Sequence, residues 1–286
     1  MLCIIGTVPD PDFPLVTGPV KMEKGHIVIE GRRVPVNRGT PALLAAALAA
    51  ASCLQLPPIH AWLVGDIGRG DGSRRLYADM EQRLGRFPWT VLVFHYLQPD
   101  VDWHNRVLFA VEEMNKRPVM IADAGFMYAA KMSGQAGAYD LFTPDAGELA
   151  FLADETAPHP FYTRGFILHE EGRVPELIAR AYAHENAARI LLVKGEKDYL
   201  ADERGVLETE GEPKSAAMEA MGGTGDTLTG LAAALVASGM AVSKAAILAA
   251  RVNRLAGSLA NPTPATQVEA LVRQIPRALN HVLKGG

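Results

Sequence analysis

Apolar runs of strand length alternate with helical patterns along most of this chain, and that alternation constrains its fold more than any other feature. Residues 61–64, 90–94 and 119–121 are apolar and rich in β-branched or aromatic side chains, and helical patterns follow them at 73–84, 102–115 and 127–132. The series continues with an apolar run at 141–143, helices at 146–152 and 175–186, and another apolar run at 189–193. Strands separated by whole helices pair in parallel, because a parallel neighbour is reached only by a long crossover. A parallel sheet must then be covered on both faces. The expected fold class is therefore α/β, a three-layer α/β/α domain with a mainly parallel central sheet.

The flanks add detail. Residues 40–52 form an Ala/Leu-rich helical pattern, with Thr40 as N-cap and Pro41 at the first helical position. Before it, residues 26–30 suggest an edge hairpin or an opening strand. Toward the C-terminus, residues 198–202 and 205–208 read as a hairpin. Helical patterns then run over 226–238, 242–259 and 266–282. No internal repeat, low-complexity tract or linker composition divides the chain, so residues 1–286 are expected to form one domain, with 1–36 as an N-terminal edge segment.

Composition excludes several function classes. Of 286 residues, 49% are apolar and 21% charged, the balance of a chain that buries a sizeable core rather than staying disordered. The net charge of -4, without a dense Lys/Arg cluster, argues against nucleic acid as the main partner. Cys3 and Cys53 are too few for a disulfide scaffold or zinc cluster, fit a reducing compartment, and read as small core residues. The alanine-dominated stretch 42–53 is shorter than the ~20 residues of a membrane span. The first six residues lack the basic start of a signal peptide, so a cytoplasmic location is expected.

The segment that carries chemistry is Gly222-Gly223-Thr224-Gly225-Asp226, a glycine-rich loop opening directly into an alanine-rich helix. Glycines let backbone N–H groups turn toward a ligand, and a helix N-terminus adds free donors and partial positive charge, so the loop makes an anion hole. A carboxylate at Asp226 can take the proton of a hydroxyl held beside a bound phosphate; the other reading is a helix N-cap, where Asp is favoured. Lys194, at the end of the 189–193 strand, can supply positive charge to an anion.

Substrate-side candidates are Asp66 on a Gly-rich loop, Asn37 and Gly39 before a helix start, and His95 at a strand end. Such ends face the binding crevice of open parallel sheets. His104, His159, His169 and His184 show no metal spacing and are expected on surfaces or loops. The aromatic loop 158–166 suits a lid or a subunit contact.

Gly223-Thr224-Gly225-Asp226, followed by Thr227-Leu228-Thr229-Gly230-Leu231, resembles the signature of the ribokinase-like superfamily, and within it the nucleotide-dependent NAD(P)H-hydrate dehydratases of the carbohydrate-kinase-like branch. The resemblance implies ATP or ADP as co-substrate with Mg²⁺, Asp226 as the reaction-centre acid or base, and Gly222, Gly223, Thr224 and Gly225 around the phosphate. It also places Asn253 beside the nucleotide. Leu192-Val193-Lys194-Gly195 is similar to the strand-end Lys-Gly of these enzymes, which implies Lys194 and Gly195 near the phosphates. Thr143-Pro144-Asp145-Ala146-Gly147-Glu148 resembles their Thr-Pro-His-Pro-Gly-Glu segment, with Glu148 as the residue that organises metal and water. The likeness is carried from about residue 119 onward and implies a homo-oligomer.

Three departures fall on the substrate side. The His-Pro pair is Asp145-Ala146, a family pair of aspartates reduces to Asp123, and the Gly-Pro-Gly-Leu-Gly loop is replaced by residues 65–72. The segment 194–202 is also similar to that of thiazole-type vitamin kinases. Dehydratase, kinase acting on a small hydroxyl-bearing molecule, and non-catalytic nucleotide-binding protein therefore all remain open on the sequence.

Overall fold

Side chains alternate between faces along a strand, and the first strand, β1 (Leu2–Val8), shows what that alternation builds. Leu2, Ile4 and Val8 enter one buried apolar core, whereas Cys3 and Ile5 enter another. The same division holds across the sheet: Ala61 and Leu63 against Trp62 and Val64 in β6 (His60–Gly65), and Val91 and Val93 against Leu92 and Phe94 in β7 (Val91–His95). Two cores separated by one sheet define three layers. The computed structural model describes residues 1–154, 171–263 and 265–285.

Among these residues, nine strands form one sheet. β1 lies between β6 and β7, and the sheet continues through β8 (Val119–Ala122), β9 (Leu141–Phe142) and β10 (Ile190–Val193), all parallel. Antiparallel strands close both edges: β2 (Val16–Pro19) beside β6, and the hairpin β11 (Asp198–Asp202) and β12 (Gly205–Glu210) beside β10. A separate three-stranded antiparallel sheet joins β3 (Lys21–Glu23), β4 (His26–Ile29) and β5 (Arg32–Pro35). The segment 1–36, expected at an edge, thus supplies a central strand. Its seven consecutive buried residues leave no exposed face to read as alternation.

On one face lie α1 (Thr40–Leu54), α7 (Thr224–Ala237), α8 (Val242–Leu259) and α9 (Val268–Gly285). The other face carries α2 (Asp71–Arg83), α3 (Val101–Glu112), α4 (Gly125–Met132), α5 (Ala146–Ala153) and α6 (Val174–Ala183). The chain leaves β1 for the first face but leaves the adjacent β7 for the second. The connections diverge there, and a crevice opens beyond the carboxyl ends of the strands. No helix among the described residues is long and apolar enough to cross a membrane.

Two sequence expectations change at this level. His104 was expected on a surface or loop but is fully buried in α3, its Nε2 2.8 Å from the Tyr139 hydroxyl and its Nδ1 3.1 Å from Ser133 Oγ. Burial pushes its pKa down to about 4, so it sits in the core as a neutral, hydrogen-bonded ring. Cys3 is buried as expected, while Cys53 is only partly so. His159, His169 and the loop 158–166 lie outside the described residues.

Candidate active site

Parallel strands all end on the same side, so the residues following β7, β8, β9 and β10 converge. Tyr96, Asp123, Asp145, Glu148 and Lys194 come from those four ends and face the N-terminus of α7 across a cavity of about 590 Å³. Local sequence makes α7 an open donor end. Gly223 occupies the N-cap position with φ of 99°, a left-handed conformation natural to glycine, and no side chain caps the helix. The first N–H groups of a helix have no intrahelical acceptor, so this uncapped turn presents donors and partial positive charge to the cavity.

Asp226 stands in the first turn of α7 and is not its cap. Its Oδ2 accepts from the Gly39 backbone N–H at 2.6 Å, and its Oδ1 lies 3.0 Å from His95 Nε2. The other ring nitrogen, Nδ1, lies 3.0 Å from Thr40 Oγ1. Thr40 was expected to cap α1; instead Gly39 holds the N-cap position without a side-chain bond, and the threonine hydroxyl turns to His95. Burial alone would raise the Asp226 pKa, but the His95 contact, the positive charge of Lys194 and the Gly39 N–H outweigh it. The carboxyl is held below the usual range and is ionised.

A second cluster backs the first. Lys194 Nζ donates to Asp123 at 2.9 and 3.1 Å, and Thr229 Oγ1 donates to Asp123 Oδ2 at 2.6 Å. Burial works against the ammonium of Lys194, but Asp123, Glu148 and Asp145 more than offset it and keep the lysine charged. His95, Asp123 and Asp226 bring ligand atoms within 4.8 Å of one another. Lys194 and Thr229 already occupy Asp123, so this trio works as a hydrogen-bonded ion cluster rather than a cation cage. Glu148 is different. Burial, with Asp145 and Asp123 nearby, pushes its carboxyl up to about 8 against the pull of Lys194.

The remaining sequence candidates divide. Gly195, Gly223, Thr224, Gly225 and Asn253 line the cavity. Asn253 accepts from Thr227 Oγ1 at 2.7 Å and donates to the Thr224 carbonyl at 3.0 Å, tying the first turn of α7 to α8. Gly222 and Asn37 are exposed and stand outside the cavity lining. Asp66 also lies outside it. Its Oδ1 accepts from the N–H groups of Gly68, Arg69 and Gly70, and its Oδ2 from the N–H and hydroxyl of Ser73. Both oxygens are engaged by its own loop.

Two features of the cavity escaped sequence reading. Tyr96 is 49% exposed there, and a large aromatic immediately after a buried strand was its only sequence sign. The pair Arg254–Asp198, at 2.7 Å, fastens α8 to β11, and a sequence separation of 56 hides it from local patterns.

Solved structures of similar fold place the architecture. The ADP/ATP-dependent NAD(P)H-hydrate dehydratase of Bacillus subtilis, co-crystallised with ATP and Mg²⁺, superposes with a TM-score of 0.56 at 15% identity, covering 99% of this chain and 89% of that one. A ribokinase-like superfamily protein of Enterococcus faecalis superposes at 0.54 with 16% identity, covering 98% of this chain and 87% of that one. The fold is ribokinase-like.

Sequence comparison narrows it. Residues 98–277 match the family model described as NAD(P)H-hydrate dehydratase, and the chain belongs to that family. An uncharacterised protein of Methanocaldococcus jannaschii is 41% identical over 221 residues, 77% of this chain and 90% of its own length. The ADP-dependent (S)-NAD(P)H-hydrate dehydratase of Cenarchaeum symbiosum is 32% identical over 150 residues, 52% of this chain and 47% of that enzyme.

Proposed function

We propose that this chain removes water from hydrated NAD(P)H, with ADP or ATP as phosphoryl donor, in a reducing, cytoplasmic compartment. The observation that carries the reading is an ionised Asp226 at an uncapped helix N-terminus, beside Lys194 and inside a cavity of about 590 Å³. Both cores lie on faces of one sheet, which supports residues 1–286 acting as a single domain.

The substrate is a hydrate and so carries a hydroxyl on its ring. Asp226 accepts the proton of that hydroxyl as its oxygen bonds to the terminal phosphorus of the nucleotide, whose bond to the bridging oxygen breaks. The hydroxyl becomes a phosphate ester, a far better leaving group than hydroxide. Its departure with a ring proton restores the double bond and releases phosphate. The α7 amides and Lys194 hold negative charge where it accumulates. Gly195, Gly223, Thr224, Gly225 and Asn253, which line the cavity, are assigned to the nucleotide side and Asp123 to the substrate side, while Gly39 and His95 hold Asp226 and the expected roles of Gly222, Asn37 and Asp66 are dropped because all three stand outside the lining.

Glu148 and Asp145 offer hard oxygen donors at the cavity wall. Each lends one oxygen to a reciprocal helix cap, Asp145 N–H to Glu148 Oε2 and Glu148 N–H to Asp145 Oδ1, both at 2.8 Å, and the remaining carboxylate oxygens are hard donors of the kind Mg²⁺ takes. Bound there, Mg²⁺ would neutralise phosphate charge.

The departures at Asp145-Ala146 and residues 65–72 favour one second reading, a kinase that leaves the phosphate on a sugar or vitamin alcohol. The deciding assay incubates purified protein with hydrated NADH and either nucleotide, and with candidate alcohols in parallel. Nucleotide-dependent return of the reduced-nicotinamide absorbance supports the dehydratase. A phosphorylated alcohol without that return supports the kinase, and neither outcome leaves a non-catalytic nucleotide-binding protein.

A further inference from the structure

Asp226 is held by a group that the proposed chemistry does not itself require. His95 is fully buried at the end of β7, in register with Gly6 of β1. A Cβ at Gly6 would sit 2.5 Å from the His95 carbonyl oxygen and 2.6 Å from Thr40 Oγ1, so β1 carries a glycine where this histidine and threonine meet. The Tyr96 ring packs edge-on against the imidazole, with centroids 4.4 Å apart.

The hydrogen-bond roles follow from the partners. An ionised carboxylate only accepts, so the proton on the Asp226 side belongs to His95 Nε2. In the neutral ring Nδ1 is then an acceptor and the Thr40 hydroxyl donates to it; in the charged ring Nδ1–H donates and the same hydroxyl accepts. A hydroxyl serves either way, so the pair keeps its bonds in both ring states, and Nε2 donates to Asp226 throughout.

We infer that His95, backed by Thr40, is a positioning residue whose Nε2–H bond fixes the Asp226 carboxylate and aims it into the cavity, extending the range over which the site works toward acid pH. This rests on Asp226 being the group that accepts the substrate proton. The charged and titratable groups facing the pair are Asp123 after β8, its Oδ2 3.9 Å from His95 Nε2, Lys194 after β10, Tyr96 after β7 and Glu148 in α5. Of these, only Lys194 helps hold Asp226 as an anion, and it is already bound to Asp123. His95 is the side-chain donor in direct contact with the Asp226 carboxylate.

The test uses the full chain and two readouts. In the first, kcat is followed against pH with hydrated NADH and ATP. His95→Leu should move the acid limb up by a pH unit or more, about a tenfold loss of rate at a pH below both limbs, with the nucleotide KM little changed. His95→Gln, whose amide can donate in place of Nε2, should restore the limb. Thr40→Val should shift it the same way but less, and serves as the second variant where His95→Leu does not fold. In the second readout, the Asp226 carboxyl is titrated by carbon NMR in wild type and variants, assigned by its absence in Asp226→Asn. This needs no substrate, so it stands even where the dehydratase reading fails. An Asp226 titration or acid limb unmoved in folded His95→Leu, or in Thr40→Val where that variant replaces it, overturns the inference.

Discussion

Asp226 and Asp66 are both buried acids on glycine-rich loops, yet their surroundings give them different work. Asp226 keeps part of its carboxylate turned to a cavity, with a side chain 12% exposed, so replacing it removes a proton acceptor from the site. Asp226→Asn should lower kcat by about 10²–10⁴-fold while leaving the nucleotide-induced rise in melting temperature in place, because the α7 amides are untouched. Asp66 spends its carboxylate on the loop 66–73. Burial alone would raise its pKa, but the donors of Ser73, Gly70 and Gly68 outweigh it and hold it below the ordinary 3.8. A depressed carboxylate stabilises the fold fully above the unfolded value, and that contribution is lost as pH falls through 3.8 toward the folded value. Asp66→Asn should therefore lower the melting temperature at neutral pH and flatten its fall below about pH 4. The sequence offered Asp66 and Asp226 as site residues through one local signal, aspartate among glycines. What separates their environments is which backbone N–H groups arrive at each, and a one-dimensional pattern does not contain that.

At the scale of elements, the start of α7 depends on backbone freedom more than on any side chain. A Cβ on Gly223 would lie 3.2 Å from both Arg38 Cα and Val268 Cγ2, at a φ of 99° that branched residues do not adopt. Gly223→Val should abolish nucleotide-induced thermal stabilisation and destabilise the fold itself by about 1–3 kcal/mol, read from denaturant midpoints. That loop was legible because a glycine run before a long apolar helix has few other uses. The helices α1, α7 and α8 and the hairpin β11–β12 were legible for the same kind of reason: each is long or punctuated by Gly and Pro. β1 was not, because Leu2–Val8 is buried on both faces and a short apolar run looks alike whether it opens at an edge or lies in the middle of a sheet. Thr40 was misread by a correct local rule, since Thr before Pro is a common helix start. A buried imidazole offered its hydroxyl a better partner.

For the whole molecule, ligand and fold are linked through the cavity between the strand ends and α7. A nucleotide that binds only the folded chain stabilises it by about 2.7 kcal/mol at a hundred times its dissociation constant. Heating the protein with ATP, ADP or AMP, with and without Mg²⁺, should show an upward shift for ATP or ADP that Mg²⁺ enhances. No shift with any of them would remove the nucleotide from the proposed function. The sequence by itself determined the layered α/β class, the glycine-rich turn and the place of Asp226 in the first turn of the helix that follows it, because each depends on neighbours within a few residues: strand and helix periods, glycine torsions, a helix N-terminus. Only the tertiary structure decided that β1 is central, that Asp66 serves its own loop, and that Thr40, His95 and Asp226 meet. Those outcomes are set by which buried donors find which acceptors across separations of up to 187 residues, where burial and hydrogen-bond satisfaction override local preference.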